Sequence, residues 1–166
     1  EKYFSKLENK SNRPLPNTLL PKYNDTIFLN QSDEEQTNIE FTIHNKDKKL
    51  VLDTVRNIRE KLIYDLIITI VNARFDALHD KGKMDYDFAL LYKSYITSKT
   101  DTLSIYAYLK ENKIKEGLKS ILIELERIRQ NGFIEKELEL YKKKYISLME
   151  QSLKSKKTRE NNSHVS

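Results

Sequence analysis

The sequence predicts an α+β fold: an antiparallel or mixed sheet with helices packed on one face, ending in a helix hairpin. Three observations point there. A short alternating segment gives way to a long run with apolar residues three and four apart, a tyrosine-rich pair of strand-like runs follows, and two amphipathic runs joined at Gly132 come last. Strands and helices that arrive in blocks favour helices segregated to one face of an antiparallel sheet.

Residues 1–22 carry Pro14, Pro16 and Pro21. Proline has no backbone N–H and is excluded from helix interiors, so an extended linker is expected there. "NDTIFLN" is a strand candidate and "QSDEEQ" a loop. In "NIEFTIH", Ile39, Phe41 and Ile43 alternate with Glu40 and Thr42, the pattern of a half-buried strand. From about Lys48 to Asp80 the spacing predicts one long helix, with Asp47 as N-cap and Gly82 as stop. Its middle is apolar nearly all round, which implies burial on more than one side. "MDYDFALLYKSYIT" and "TLSIYAYLKE" read as strands joined by the turn "SKTD", with Leu103, Ile105, Ala107 and Leu109 on one face. The next helix repeats Ile114, Leu118, Ile121, Leu122, Leu125 and Ile128, with Asn112 as its expected cap and Gly117 as a weak point. Asn131 and Gly132 should end it in a left-handed turn. The last helix lines Ile134, Leu138, Tyr141, Tyr145 and Leu148 along its apolar side. The expected organisation is a linker over 1–22, one α+β domain over 23–151 and a polar tail over 152–166.

The chain has 166 residues, of which 38% are hydrophobic and 33% charged, enough apolar content for one core under a heavily charged surface. "LIYDLIITIV" is far shorter than the roughly 20 residues of a membrane span. No apolar stretch in "EKYFSKLENK" marks a signal peptide, and the absence of an initiator Met suggests a processed fragment. With no cysteine, disulfides, thiolate ligands and a cysteine nucleophile drop out. The net charge of +5 comes mostly from lysines interleaved with Glu and Asp, so a solvated face is expected in preference to a nucleic-acid surface.

Candidate chemistry is sparse. His44, His79 and His164 are far apart and lack the spacing of a helical zinc site. Gly82, Gly117 and Gly132 are too distant from one another to cradle a phosphate, and no G-x-S-x-G marks a serine nucleophile. Glu124, Glu126, Glu135, Glu137 and Glu139 read as surface charges, with Glu139 set to pair with Lys143. The ten tyrosines stand out. Tyr92, Tyr95, Tyr106 and Tyr108 would stud the hairpin, either as cross-strand packing or as a peptide- or nucleic-acid-contacting platform.

Two stretches resemble the insulinase-like (pitrilysin) zinc metallopeptidases. "LDTVRNIREKLIYDLIITIVNARFDAL" is similar to that family's long helix, closed by an Arg-Leu or Arg-Phe pair that falls here on Arg74 and Phe75. "LKSILIELERIRQNGFIEKELELYKKKY" resembles its "L…EL-x-R-x-x-x-x-GF-x-x-x-EL" signature through Leu122, Glu124, Leu125, Arg127, Gly132, Phe133, Glu137 and Leu138. The family usually has Thr or Ser after "GF". Ile134 stands there, so the helix cap must come from elsewhere or be absent.

The resemblance implies repeated α+β domains paired into halves around a peptide-holding chamber. One domain of each such enzyme carries H-x-x-E-H, whose histidines bind zinc and whose glutamate activates water. The nearest approach here, "HDKGK" at His79, lacks both the glutamate and the second histidine, so no catalytic or metal role transfers to any residue. What the resemblance implies is a non-catalytic domain with no cofactor of its own, zinc belonging to a catalytic partner domain in the same or another chain, and peptide as substrate of the whole. Bacterial members of this kind are often exported, which by resemblance points to the periplasm or cell envelope. The alternative is a stand-alone module whose tyrosine-rich hairpin binds protein or nucleic acid.

Overall fold

The computed structural model describes residue 20, residues 25–82 and residues 84–155. Most of the expected linker and the end of the expected tail therefore lie outside the described residues, as does His164. Among the described residues the chain runs β1 (Ile39–Lys48), α1 (Val55–Asp80), β2 (Tyr86–Thr97), β3 (Thr100–Leu109), α2 (Ile114–Asn131) and α3 (Glu135–Lys154). The strands form an antiparallel sheet in the order β1-β3-β2. The α+β expectation holds.

The sheet divides by parity. Ala89 pairs with Ala107, Leu91 with Ile105, and Phe41 with Ala107 on the other side. These residues meet Val71 and Phe75 of α1 and Ile121 of α2, so this face carries the core with α1 and α2 against it, while α3 packs on α1. Tyr86 is 1% exposed and donates from its hydroxyl to the carbonyl of Phe75 at 2.9 Å. Burial pushes its phenol far above the ordinary range. The opposite parity, with Glu40, Thr42 and His44 on β1, Ser104, Tyr106 and Tyr108 on β3, and Phe88, Leu90 and Tyr92 on β2, forms the second face.

Four local expectations are corrected. "NDTIFLN" forms no strand: residues 25–30 make no ladder, and Ile27, Phe28 and Leu29 are exposed. Strand-forming side chains cannot create a strand without a neighbouring edge to pair with. The long helix begins at Val55, because β1 runs through Asp47 to Lys48 and its pairing is prolonged by Lys49 N–H donating to the Lys99 carbonyl. Thr54 is the N-cap, its hydroxyl accepting from Asn57 N–H at 3.2 Å. Asn112 does not cap α2. It holds a left-handed turn at φ 64°, and Lys113 occupies the cap position without a side-chain bond. His44, expected at a strand end, lies inside β1, with Nδ1 2.8 Å from Ser104 Oγ.

Gly117 is a point of close approach. A Cβ there would lie 2.6 Å from the carbonyl oxygen of Asp85 and 3.0 Å from Leu109 Cδ2, so α2 rests directly on the start of β2. Gly132 ends α2 at φ 68°, where its N–H donates to the Ile128 carbonyl, and the chain turns into α3. The flank of β2 is closed by a side chain: Asn72 of α1 donates from Nδ2 to the Leu91 carbonyl at 2.9 Å and accepts from Leu91 N–H at 2.7 Å.

Candidate functional site

The residues singled out in α1, α2 and α3 converge on one guanidinium. Arg74 donates from Nε to Glu137 Oε1 at 3.0 Å and from Nη2 to Glu137 Oε2 at 2.6 Å, a two-pronged grip on one carboxylate. Its Nη1 reaches Glu124 Oε1 at 3.3 Å. The guanidinium carbon stands 5.4 Å from the ring centre of Phe133, in cation–π range. Arg127 binds the other oxygen of Glu124 at 3.4 Å. Three helices are thus tied at one side chain.

Glu124 and Glu137 are not the surface charges expected of them. Glu124 is 5% exposed, and the Glu137 side chain 24%. The missed signal was positional: Glu124 stands three residues after the fully buried Ile121 and one before Leu125, on the apolar stripe itself. Glu137 also accepts from Ile134 N–H at 3.2 Å. This answers the missing Thr or Ser, since a carboxylate three residues on serves the free N–H of the helix start that the Ile134 side chain cannot. Glu139 pairs with Lys142 at 2.9 Å in place of the expected Lys143.

The hydrogen bond from Arg74, helped by Ile134 N–H, holds the Glu137 carboxyl below the usual carboxylate range against the opposing effect of burial. Arg74 is in turn raised, first by its bond to Glu137. A general acid or base needs a pKa near the working pH. Glu137 is driven away from that range, so this arrangement suits a mechanical clamp and not proton transfer. Phe75 fills the core beneath the clamp at 0% exposure, Gly132 forms its corner and Leu138 is half-buried beside it.

The second feature is the sheet face turned away from the helices. Phe88, Tyr106 and Tyr108 form a three-ring cluster, with centroids 6.5 Å apart for Phe88 and Tyr106, 6.2 Å for Phe88 and Tyr108, and 5.2 Å for the two tyrosines. Tyr92 lies on the same face, paired in register with Ser104. Tyr95 does not: it pairs with Asp101 on the helix-side parity and is 76% exposed near the hairpin tip. The Tyr106 hydroxyl is raised, first by its hydrogen bond to Tyr108 and also by Glu40 across the strand pair. Phe88 is 40% exposed, and Tyr92, Tyr106 and Tyr108 are half-buried.

Among the described residues no three His, Asp or Glu side chains gather as a metal site, and no helix is long and apolar enough to cross a membrane. His79 stacks on Tyr86 with centroids 6.0 Å apart. H-x-x-E-H occurs nowhere in the 166 residues.

Residues 1–145 match the family described as the peptidase M16 inactive domain. The chain belongs to the peptidase M16 family. A search of curated proteins gave no match. Among solved structures, the M16 domain is similar to the first half of the periplasmic protease PqqL from Escherichia coli, with a TM-score of 0.69 and 14% identity over 76% of this chain and 27% of that one. It is equally similar to the structure of the periplasmic protease PqqL, of which it covers 14%. The M16 domain thus spans well under half of either chain, and at this identity the likeness bears on the fold. That fold is the insulinase-like peptidase domain expected from the resemblance.

Proposed function

We propose that the chain is the non-catalytic member of a domain pair in an M16 peptidase. The zinc motif and water activation lie on the partner, and the face bearing Tyr92, Tyr106, Tyr108 and Phe88 forms wall of the space that holds the peptide. The observation that carries this is the match to the inactive domain over residues 1–145, in a chain without H-x-x-E-H. The clamp supports it. Arg74 and its carboxylates are spent on holding three helices together, which is what a wall needs and a catalytic centre does not. Half-buried aromatics on a sheet face supply wide, sequence-tolerant contact for an extended peptide.

The test is reconstitution. The full chain is mixed with the H-x-x-E-H-bearing M16 domain encoded in the same genome, and hydrolysis of a quenched fluorescent peptide is followed. The chain alone, with or without added zinc, should be silent, and adding it should raise the turnover of the partner. A purified chain that held stoichiometric zinc and cleaved the peptide unaided would overturn the reading. Changing Tyr106 and Tyr108 together to Ala should raise KM severalfold while leaving the two domains associated.

A further inference from the structure

Among the described residues the outer edge of β1 is bare, and a segment of strand composition lies just upstream of it. Ile27, Phe28 and Leu29 are 58%, 89% and 91% exposed and join no ladder. Between that segment and β1 the chain reverses. Gln36 N–H donates to the Asp33 carbonyl at 3.2 Å, and Asp33 Oδ1 accepts from Glu35 N–H at 2.9 Å, a turn with Glu34 and Glu35 at its tip. Stepping outward from the Asp33–Gln36 bond pairs Asn30 with Ile39, Leu29 with Glu40, Phe28 with Phe41, Ile27 with Thr42 and Thr26 with Ile43.

The backbone of β1 suits that register. Lys49 N–H donates to the Lys99 carbonyl, one step beyond the Lys48–Thr100 pair, so the odd-numbered residues of β1 turn their backbone groups toward β3. The even-numbered ones, Glu40 and Thr42 among them, turn theirs outward. In a ladder grown from Asp33–Gln36, the pairs that exchange both bonds are Leu29–Glu40 and Ile27–Thr42. The groups that face out are therefore the ones the segment needs. The side chains agree. Phe28 falls beside Phe41 on the core face, where Ile39, Phe41 and Ile43 are only half-buried, and Ile27 and Leu29 fall beside Thr42 and Glu40 on the face of Tyr106 and Tyr108.

We propose that residues 26–30 are the occupant of the β1 edge: an arm of this chain that closes on residues 39–43 as a fourth, antiparallel strand and keeps other β-segments away. In the structure the arm stands open, and its turn accounts for that. Neither Glu34 nor Glu35 has a positive φ, and a two-residue turn without one splays the strands it joins. The chain also bends at Asn38 before it enters β1.

The experiment follows amide hydrogen exchange by NMR on the full-length chain. The N–H groups of Ile27, Leu29, Glu40 and Thr42 should be protected about tenfold more than that of Phe28, which faces away from β1 in this register. Glu34→Asn with Glu35→Gly, which supplies the positive-φ residues of a tight hairpin, should raise that protection further. Leu29→Pro, at an exposed position, removes one donor and should return Glu40 and Thr42 to the rate of Phe28, while Ile105 N–H in the central strand stays protected and reports an intact fold. Glu40 and Thr42 exchanging as fast as Phe28 in the wild type would overturn the proposal, and a turn variant that left their rates unchanged would overturn the register. Protection that survives Leu29→Pro would give the edge to another segment and overturn it as well. Protection that grows with protein concentration would make a second copy the occupant, with the same result.

Discussion

Arg74 is the residue on which the helical layer turns. Removing its side chain leaves Glu124 in a nearly closed site with only the solvent-facing Arg127 as counterion. Arg74→Ala should therefore destabilise the chain by about 3 kcal/mol, read from chemical denaturation. Arg74→Lys should recover little of this, because an ammonium cannot grip Glu137 with two parallel bonds while reaching Glu124. The clamp also sets a pH signature. Glu137 is depressed in the folded state from its ordinary 4.5, so the stability it contributes is fully present above that value and is lost as the pH falls through the folded pKa. Melting temperature should drop below about pH 4.5, and Glu137→Gln should reduce that acid dependence. The comparison with Glu137→Gln is needed because Glu126, held at about 2 by Arg129, titrates in the same acid region. From the sequence, Arg74 and Glu137 could be picked out by resemblance, but their meeting could not. They are 63 residues apart, and a side chain that pairs across such a distance leaves no periodic trace. Glu124 left one, since it interrupts an apolar stripe, and an acid at that position implies a buried cation opposite.

Two contacts between elements can be tested by small changes. Gly117→Ala would gain about 1 kcal/mol in an isolated helix. Here the new methyl would press on the Asp85 carbonyl, which is backbone and cannot swing aside, so the variant should be less stable by roughly 1–3 kcal/mol. A stabilised Gly117→Ala would show that α2 is free to lift from the sheet. Asn72→Ala would leave both the N–H and the carbonyl of Leu91 without their side-chain partner, at a cost of roughly 1–3 kcal/mol by denaturation. The elements most legible in the sequence were those with a clean period: the alternation of β1, the paired tyrosine-rich runs, and the stripe of α2. The boundaries were less so. Asp47 has the chemistry of a cap, but pairing with β3 keeps it in the strand, and Thr54 is left to start the helix. Residues 25–30 have strand composition without a strand, because a ladder is made by two segments and one sequence window describes only one of them.

At the scale of the whole molecule, the two sheet faces divide the work. One carries the core with α1 and α2 against it, and the other presents a ring cluster whose neighbours on β1, Glu40 and Thr42, are polar. Fold class was readable because it follows from the order of periods. Strand alternation alone puts Tyr95, three residues on, opposite Tyr92; what one sequence window could not give was the cross-strand register that sets Tyr92 on the same face as Tyr106 and Tyr108. The two outer strands also differ. Along β2, the Asn72 amide occupies the backbone groups of Leu91 that an incoming segment would need, whereas β1 has no strand on its outer side among the described residues. Sheet growth therefore has a direction: recruitment of another β-segment, whether in assembly or in misassembly, begins beside Ile39–Lys48.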